Sequence, residues 1–419
     1  MATRQPVWDV VIAGAGPAGS TLACSLLAAR PAARVCLLDR QVFPRDKACG
    51  DGIGPGVVRT LQDLDLLAAC DGFEPVELLR IRSPSGRELA SGLPTIDGGR
   101  PIGYVVPRLT FDHRLAQAAI TRGAADRTGY GLVAAEFNSA AALWEVRVRQ
   151  DDGGNRPEET LEARVLVGAD GARSVVRRIL GIPYNSPRHT GISVRQYATI
   201  QDAGPRALEF DFLRTIQPAY GWYFAGSKDR ANVGVVCDVA VYTQRRLQLP
   251  ALLGTQCQTL DKYHRLTHDP KSRKSFILPY GSQLPALAVG RAALVGDAAS
   301  MINPLTGEGL YYGTFAGRLL GSLLAEAFSG QVSLEQALER YGTLFRRKFR
   351  RHFRANAFLK KLTASEFWAR VVFGAAGRDQ RILEDAVRLM LGDGDHVGVV
   401  KTLGVLARRS LARRGRNAA

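Results

Sequence analysis

One run near the N-terminus, WDVVIAGAGPAGSTLACSLLAARPAARVCLLDR from Trp8 to Arg40, limits what this chain can fold into more than any other. Val10, Val11 and Ile12 form a continuous apolar stretch of the kind a parallel strand shows when both faces are covered. Gly14, Gly16 and Gly19 then satisfy G-x-G-x-x-G where strand hands over to helix. Gly14 permits the tight turn, Gly16 lets backbone approach a pyrophosphate, and Gly19 lets the helix lie close on the strand. The helix N-terminus offers free N–H groups to the anion. A second apolar strand, Val35 to Leu38, ends at Asp39, twenty residues beyond Gly19. A carboxylate there accepts the ribose 2′-hydroxyl and repels a 2′-phosphate, so the ligand carries adenosine without that phosphate. Ala18 and Arg40 flank the same crevice and are counted among its contacts. The motif alone leaves NAD and FAD open, whereas the lack of G-x-x-x-x-G-K-[ST] argues against an ATPase.

With 419 residues, 46% of them hydrophobic, the chain has the means for a large core and two domains, or one domain with an insertion. Six cysteines (Cys24, Cys36, Cys49, Cys70, Cys237, Cys257) occur without a C-x-x-C pair, which fits reduced thiols in a cytoplasm better than a disulfide framework or zinc ribbon. No run reaches the ~18 apolar residues of a spanning helix, and we expect neither secretion nor a membrane span. The net charge of +17 gathers late, with eight Lys/Arg and no acid from Tyr341 to Lys361 and six more from Lys401 to Ala419. Phe345, Phe349 and Phe353 recur every four residues beside these charges, the pattern of a helix lying on an anionic membrane. The plain alternative is a solvated, arginine-rich face. No recognition motif accompanies the charge, so nucleic acid is not expected. His264 and His268 in HRLTH stand four apart without the glutamate of H-E-x-x-H, and we expect a solvated helix end and no metal.

Two later stretches repeat the strand-and-glycine theme. VLVGADGARSVVRR, residues 165 to 178, ends a strand at Gly168-Ala169-Asp170-Gly171, and a helix with Ser174 and Arg177 follows. RAALVGDAASMINPLTGEGLYYGTFAGRLLGSLL, from Arg291, runs through Gly296-Asp297 and the turn Pro304-Leu305-Thr306-Gly307-Glu308-Gly309 into a long apolar helix. With its glycine turn, D-G motif and G-D motif in order, the chain resembles the FAD-dependent family built on the para-hydroxybenzoate hydroxylase fold. The resemblance implies FAD as cofactor, Asp297 on its ribitol chain, Asp170 with Gly171 supporting its nucleotide half, and Arg108 of VVPRLTFDHRL reaching toward it. The helix opening near Gly309 would turn its positive end toward the flavin pyrimidine, where reduced flavin carries negative charge. No second dinucleotide fingerprint occurs, so electrons are expected from a transient donor: NAD(P)H, a flavin or a ferredoxin.

Fold does not name the reaction. AYGWYFAGSKDRANVGV, Ala219 to Val235, would set Tyr220, Trp222 and Phe224 on one face of a strand and Tyr223 on the other. It resembles the Y-x-W-x-F-P stretch of the geranylgeranyl reductase family, whose members saturate isoprenoid double bonds in archaeal lipids, chlorophyll side chains and menaquinone. Ala225 stands where that family has proline. FPRDKACGDGIGPG, residues 43 to 56, resembles the same family's PRDKxCGxG run through Pro44, Arg45, Asp46, Lys47, Cys49, Gly50 and Gly52. The resemblance implies a loop near the flavin and substrate, its glycines letting backbone approach the isoalloxazine and Cys49 facing the ligand. Lys47 and the loop amides would lower the pKa of Cys49 and make it a proton donor; a thiol that merely fills a gap is the other reading. Tyr220 and Trp222 would line an apolar tunnel, or else be ordinary sheet-core aromatics.

The expected class is α/β: a Rossmann-like FAD-binding domain assembled from residues 1–75, 100–182 and 287–340, an inserted antiparallel-sheet substrate domain from 76–99 and 183–286, and a basic, helical C-terminal region from 341–419. The expected activity is FAD-dependent saturation of a lipophilic, isoprenoid-type substrate, with a flavin monooxygenase as the alternative. The expected location is cytoplasmic, peripheral to an anionic membrane face.

Overall fold

The computed structural model describes residues 6–151, 156–201, 206–212, 220–226 and 229–392. The basic tail from Lys401 lies outside the described residues. The strand Trp8–Ala13 sits inside an eight-stranded sheet, paired in parallel with Val35–Asp39 on one side and Glu159–Gly168 on the other. Ala125–Thr128 and Ala292–Leu294 extend the parallel core outward, and an antiparallel pair, Tyr130–Asn138 with Leu143–Gln150, joins along Glu159–Gly168. Val10, Val11 and Ile12 are fully buried, as a strand covered on both faces requires. The helix Pro17–Ala29 lies on this sheet and packs against Leu310–Phe328. Their backbones come so close that a Cβ on Gly317 would stand 2.4 Å from the carbonyl oxygen of Ala18.

A second, seven-stranded sheet runs in the order 266–279, 190–200, 230–238, 220–225, 207–211, 78–82, 88–92. Only the pair 207–211 with 78–82 is parallel. Alternation along its strands gives it two apolar faces. Leu208, Phe210, Tyr220, Trp222, Phe224 and Val236 join the core of the first sheet, while Tyr223, Ala225, Val233 and Val235 form a separate core under the helix Leu249–Leu260.

Among the described residues three helices follow: Leu334–Thr363, Glu366–Ala376 and Gln380–Leu391. The first opens on a reciprocal cap, with Ser333 Oγ accepting the Gln336 N–H and Gln336 Oε1 accepting the Ser333 N–H. Phe345, Phe349 and Phe353 are at most 1% exposed. Phe349 meets Tyr311, Tyr312 and Phe315 edge-on at 5.1 to 5.6 Å. This corrects the membrane-facing reading of those rings: their four-residue spacing is that of a helix docking on its own protein, and the exposed side carries Arg347, Lys348, Arg350, Arg351 and Arg354 instead. HRLTH is corrected as well, since it is not helical. His264 stacks on Tyr223 with ring centres 4.0 Å apart and bonds Glu209, while His268 lies in the 266–279 strand. Among the described residues no helix is long and apolar enough to cross a membrane, and no cluster suits a metal ion.

Candidate active site

Where the two sheets meet, one continuous cavity of about 970 Å³ runs from the 14–19 turn to the aromatic face of the second sheet. Gly14, Gly16, Ala18, Asp39, Arg40, Cys49, Gly50, Arg108, Asp170, Gly296, Asp297, Gly307, Gly309, Tyr220 and Trp222 all line it. Gly19 stands behind the wall, where a Cβ would lie 2.0 Å from the carbonyl oxygen of Gly14, so its task is the close fit of helix on strand.

The nucleotide end has the form of a cradle. Gly14 holds φ +111°, open to glycine, whereas a Cβ on Gly16 would meet nothing nearer than Arg45 Nη2 at 3.4 Å. The helix beginning at Pro17 has no side-chain cap. Asp39 Oδ2 accepts the Ala15 N–H at 3.1 Å and Oδ1 accepts that of Gln41 at 3.0 Å, which fixes the carboxylate at the strand end. Asp170 Oδ2 accepts the N–H groups of Val175 and Val176, while Oδ1 is buried without a hydrogen-bond partner, and burial pushes the carboxyl pKa up. A buried acceptor left over beside a glycine cradle calls for donors from a ligand, and the hydroxyls of a dinucleotide supply them. These residues fit FAD.

Around Cys49 the structure departs from the sequence reading. Lys47 Nζ donates to Asp297 Oδ2 at 2.8 Å across the cavity and does not serve the thiol. Burial pushes the Cys49 pKa up, with the Arg108 guanidinium beside it pulling the other way, so the thiol keeps its proton. Arg108 itself is 4% exposed and chelates Asp112 one helical turn on, which also takes Arg45 Nη1 at 3.0 Å. Nor do the loop glycines chiefly make room for a ligand. A Cβ on Gly50 or Gly52 would come within 3.0 or 3.1 Å of the Phe224 ring, so the neighbour that needs the space is this protein's own aromatic strand.

That strand and the loop are tied by a buried network that no local pattern announces. Asp51, at φ +63°, accepts from Tyr197 Oη and Asn232 Nδ2 on the same oxygen, each at 2.8 Å. Asn232 also donates to the carbonyl of Cys49 and accepts from Trp222 Nε1 at 2.9 Å. Burial raises the Asp51 pKa to about 6 against the pull of those two hydrogen bonds. At the apolar end Phe210 meets Tyr220 and Phe224 edge-on at 5.2 Å, and Leu391 of the last helix closes the wall. Tyr220 Oη donates to the carbonyl of Thr306, and burial pushes its pKa up.

Glu308 was given no role by the sequence reading, although a carboxyl between two glycines at a helix start was there to be seen. It lines the cavity and accepts the Tyr311 N–H at 2.9 Å. Burial raises its pKa to about 7.

A family model described as an FAD binding domain matches residues 7–354. A menaquinone reductase of Mycolicibacterium smegmatis is 32% identical over 323 residues, 74% of each chain. A digeranylgeranylglycerophospholipid reductase of Methanosarcina acetivorans is 28% identical over 332 residues, 75% of this chain and 74% of that one. Among solved structures, a geranylgeranyl bacteriochlorophyll reductase-like protein of Thermoplasma acidophilum superposes with a TM-score of 0.77 at 21% identity, covering 96% of this chain and 99% of that one. A myxobacterial chondrochloren halogenase shares the fold at 0.72 and 23% identity, covering 93% and 91%. With the cradle, the D-G and G-D motifs and the aromatic strand around one cavity, the chain belongs to the geranylgeranyl reductase family of FAD-dependent oxidoreductases.

Proposed function

We propose that the protein saturates carbon–carbon double bonds in the isoprenoid part of a lipophilic molecule such as a menaquinone or a geranylgeranyl lipid. The observation that carries this reading is the continuity of the cavity: its nucleotide end opens directly onto a wall of buried aromatic side chains that suits an apolar chain. The names of the menaquinone and geranylgeranyl reductases among its relatives support the same substrate class.

In this reading Asp39 holds the ribose, the 14–16 turn and the 17–29 helix N-terminus hold the pyrophosphate, Asp170 satisfies its free oxygen on the cofactor, and Asp297 takes the ribityl hydroxyls. Reduced FAD, when bound, supplies a hydride to an alkene carbon. Tyr220, Trp222 and Cys49 form the wall against which the alkene lies, and their burial excludes water. The donor of electrons is a transient partner: NAD(P)H, a flavin or a ferredoxin. The exposed Arg347, Arg350, Arg351 and Arg354 support peripheral contact with an anionic membrane, where such substrates reside. Flavin monooxygenation is the rival, because the fold does not by itself name the reaction.

Stopped-flow spectroscopy of the dithionite-reduced holoenzyme decides between them. Anaerobic mixing with a geranylgeranyl lipid, which has no quinone ring to take the electrons, should restore oxidised-flavin absorbance and give a product two hydrogens heavier per bond reduced. Silence there, with a transient hydroperoxide band on adding oxygen, would sink alkene reduction.

A further inference from the structure

We propose that Glu308, rather than Cys49, is the catalytic acid that protonates the alkene; the assignment rests on the alkene-reduction reading. The turn 303–309 connects the Asp297 region to the 310–328 helix, and Tyr220 of the aromatic strand leans on it, its hydroxyl on the Thr306 carbonyl. A Cβ on Gly307 would stand 3.3 Å from that hydroxyl, and one on Gly309 would stand 3.5 Å from Asp297 Oδ1. Glu308, between these two glycines, lines the cavity, and its charge is felt at the Tyr220 phenol. Its hydrogen bond from the Tyr311 N–H fixes it at the helix start.

The surroundings raise its pKa without supplying a cation to hold the charge. Among the described residues it has no ion pair, and the titratable groups that face it are the phenols of Tyr220 and Tyr312, both pushed up by burial. Asp297, next to Gly309, is already paired with Lys47. Burial brings Glu308 to about 7, where a proton donor works best at neutral pH. Cys49 is disfavoured on the same ground, because burial carries a thiol upward from an already high starting point.

The step balances. The π bond breaks and two C–H bonds form, one from the hydride that reduced FAD supplies and one from the Glu308 proton. The cofactor is oxidised by two electrons, and Glu308 is left as carboxylate until solvent reprotonates it.

Glu308→Gln tests this, because the amide carbonyl still accepts the Tyr311 N–H and the fold should hold; Glu308→Asp serves as the conservative companion. FAD content should match wild type in both. With a geranylgeranyl lipid in detergent micelles, anaerobic reoxidation of the reduced E308Q holoenzyme should be at least ~100-fold slower, the ordinary contribution of a positioned acid, and E308D should recover part of the loss. Independently of turnover, the visible spectrum of bound oxidised FAD should titrate near pH 7 in wild type and not in E308Q. A wild type that reduces the tail and is matched by E308Q overturns the donor assignment alone, as does a titration that persists in E308Q. A wild type that leaves the tail unreduced overturns alkene reduction and the donor with it.

Discussion

Two glycine-rich segments face the same cavity, and Gly16 of the first is put to a use opposite to that of Gly50, Gly52 and Gly56 in the second. In the 14–19 turn, the missing side chain of Gly16 leaves a space that no other part of the protein fills. In the 50–56 segment three of the four spaces are filled from within: Phe224 occupies those at Gly50 and Gly52, and the Tyr311 ring lies 2.5 Å from where a Gly56 Cβ would be, while Gly54 meets only Leu391 at 3.8 Å. A glycine count cannot distinguish the two, since both lower the steric cost of close approach. What differs is the visitor: a cofactor in the first case, the chain's own aromatics in the second. The first loop should therefore be sensitive in binding and the second in stability.

The largest effect should come from Gly16→Ala. The backbone there has φ −70° and ψ 179°, which alanine adopts, and the added methyl meets only the tip of Arg45. The apoprotein should melt within ~2 °C of wild type, a shift corresponding to under about 1 kcal/mol. FAD affinity should fall at least ~100-fold, about 2.7 kcal/mol, because the methyl takes the room of the pyrophosphate. Fluorescence titration of the apoprotein with FAD measures this, and wild-type affinity would break the comparison.

Next comes the pH dependence that Asp51 gives the second loop. Its pKa rises from an ordinary 3.8 to about 6 on folding, so between those values the native state binds more protons than the unfolded one. The contribution of Asp51 to stability is then complete below about pH 4 and is lost as pH rises through 6, by up to about 3 kcal/mol. Urea unfolding of wild type and Asp51→Asn from pH 4.5 to 7.5 should show this fall in the first and a flatter profile in the second. Gly56→Ala should cost about 1–3 kcal/mol by overpacking against Tyr311, with FAD stoichiometry per folded molecule unchanged. Companion loss of FAD in Gly56→Ala would mean that the second loop also shapes the cofactor site.

The nucleotide half was legible because its signals are local: a strand, three glycines and an acid lie within Trp8 to Arg40, and the structure brings them together as that spacing requires. The aromatic strand was legible for the same reason, since alternation alone places Tyr220, Trp222 and Phe224 on one face. The partners of Asp51 were hidden because Tyr197 and Asn232 are 146 and 181 residues away in the chain. Lys47 was misread because its neighbour in sequence, Cys49, seemed the natural recipient of its charge, whereas Asp297 lies 250 residues on. The phenylalanines of the basic helix show the converse error. Their periodicity correctly marks one apolar face, but periodicity does not say whether lipid or protein covers it.

The smallest effect is expected at the residue that drew most notice in the sequence. Cys49 carries its proton, lies beside Arg108 and offers its carbonyl to Asn232, so its backbone matters more to the loop than its thiol does to chemistry. Cys49→Ala should keep FAD and slow anaerobic reoxidation by a geranylgeranyl lipid by less than about threefold, under 1 kcal/mol of barrier. A loss as large as that expected for E308Q would return the acid to the thiol and make the second loop catalytic. A small loss would leave the division intact, with the first glycine loop shaped around a cofactor and the second around the aromatic wall that receives the substrate.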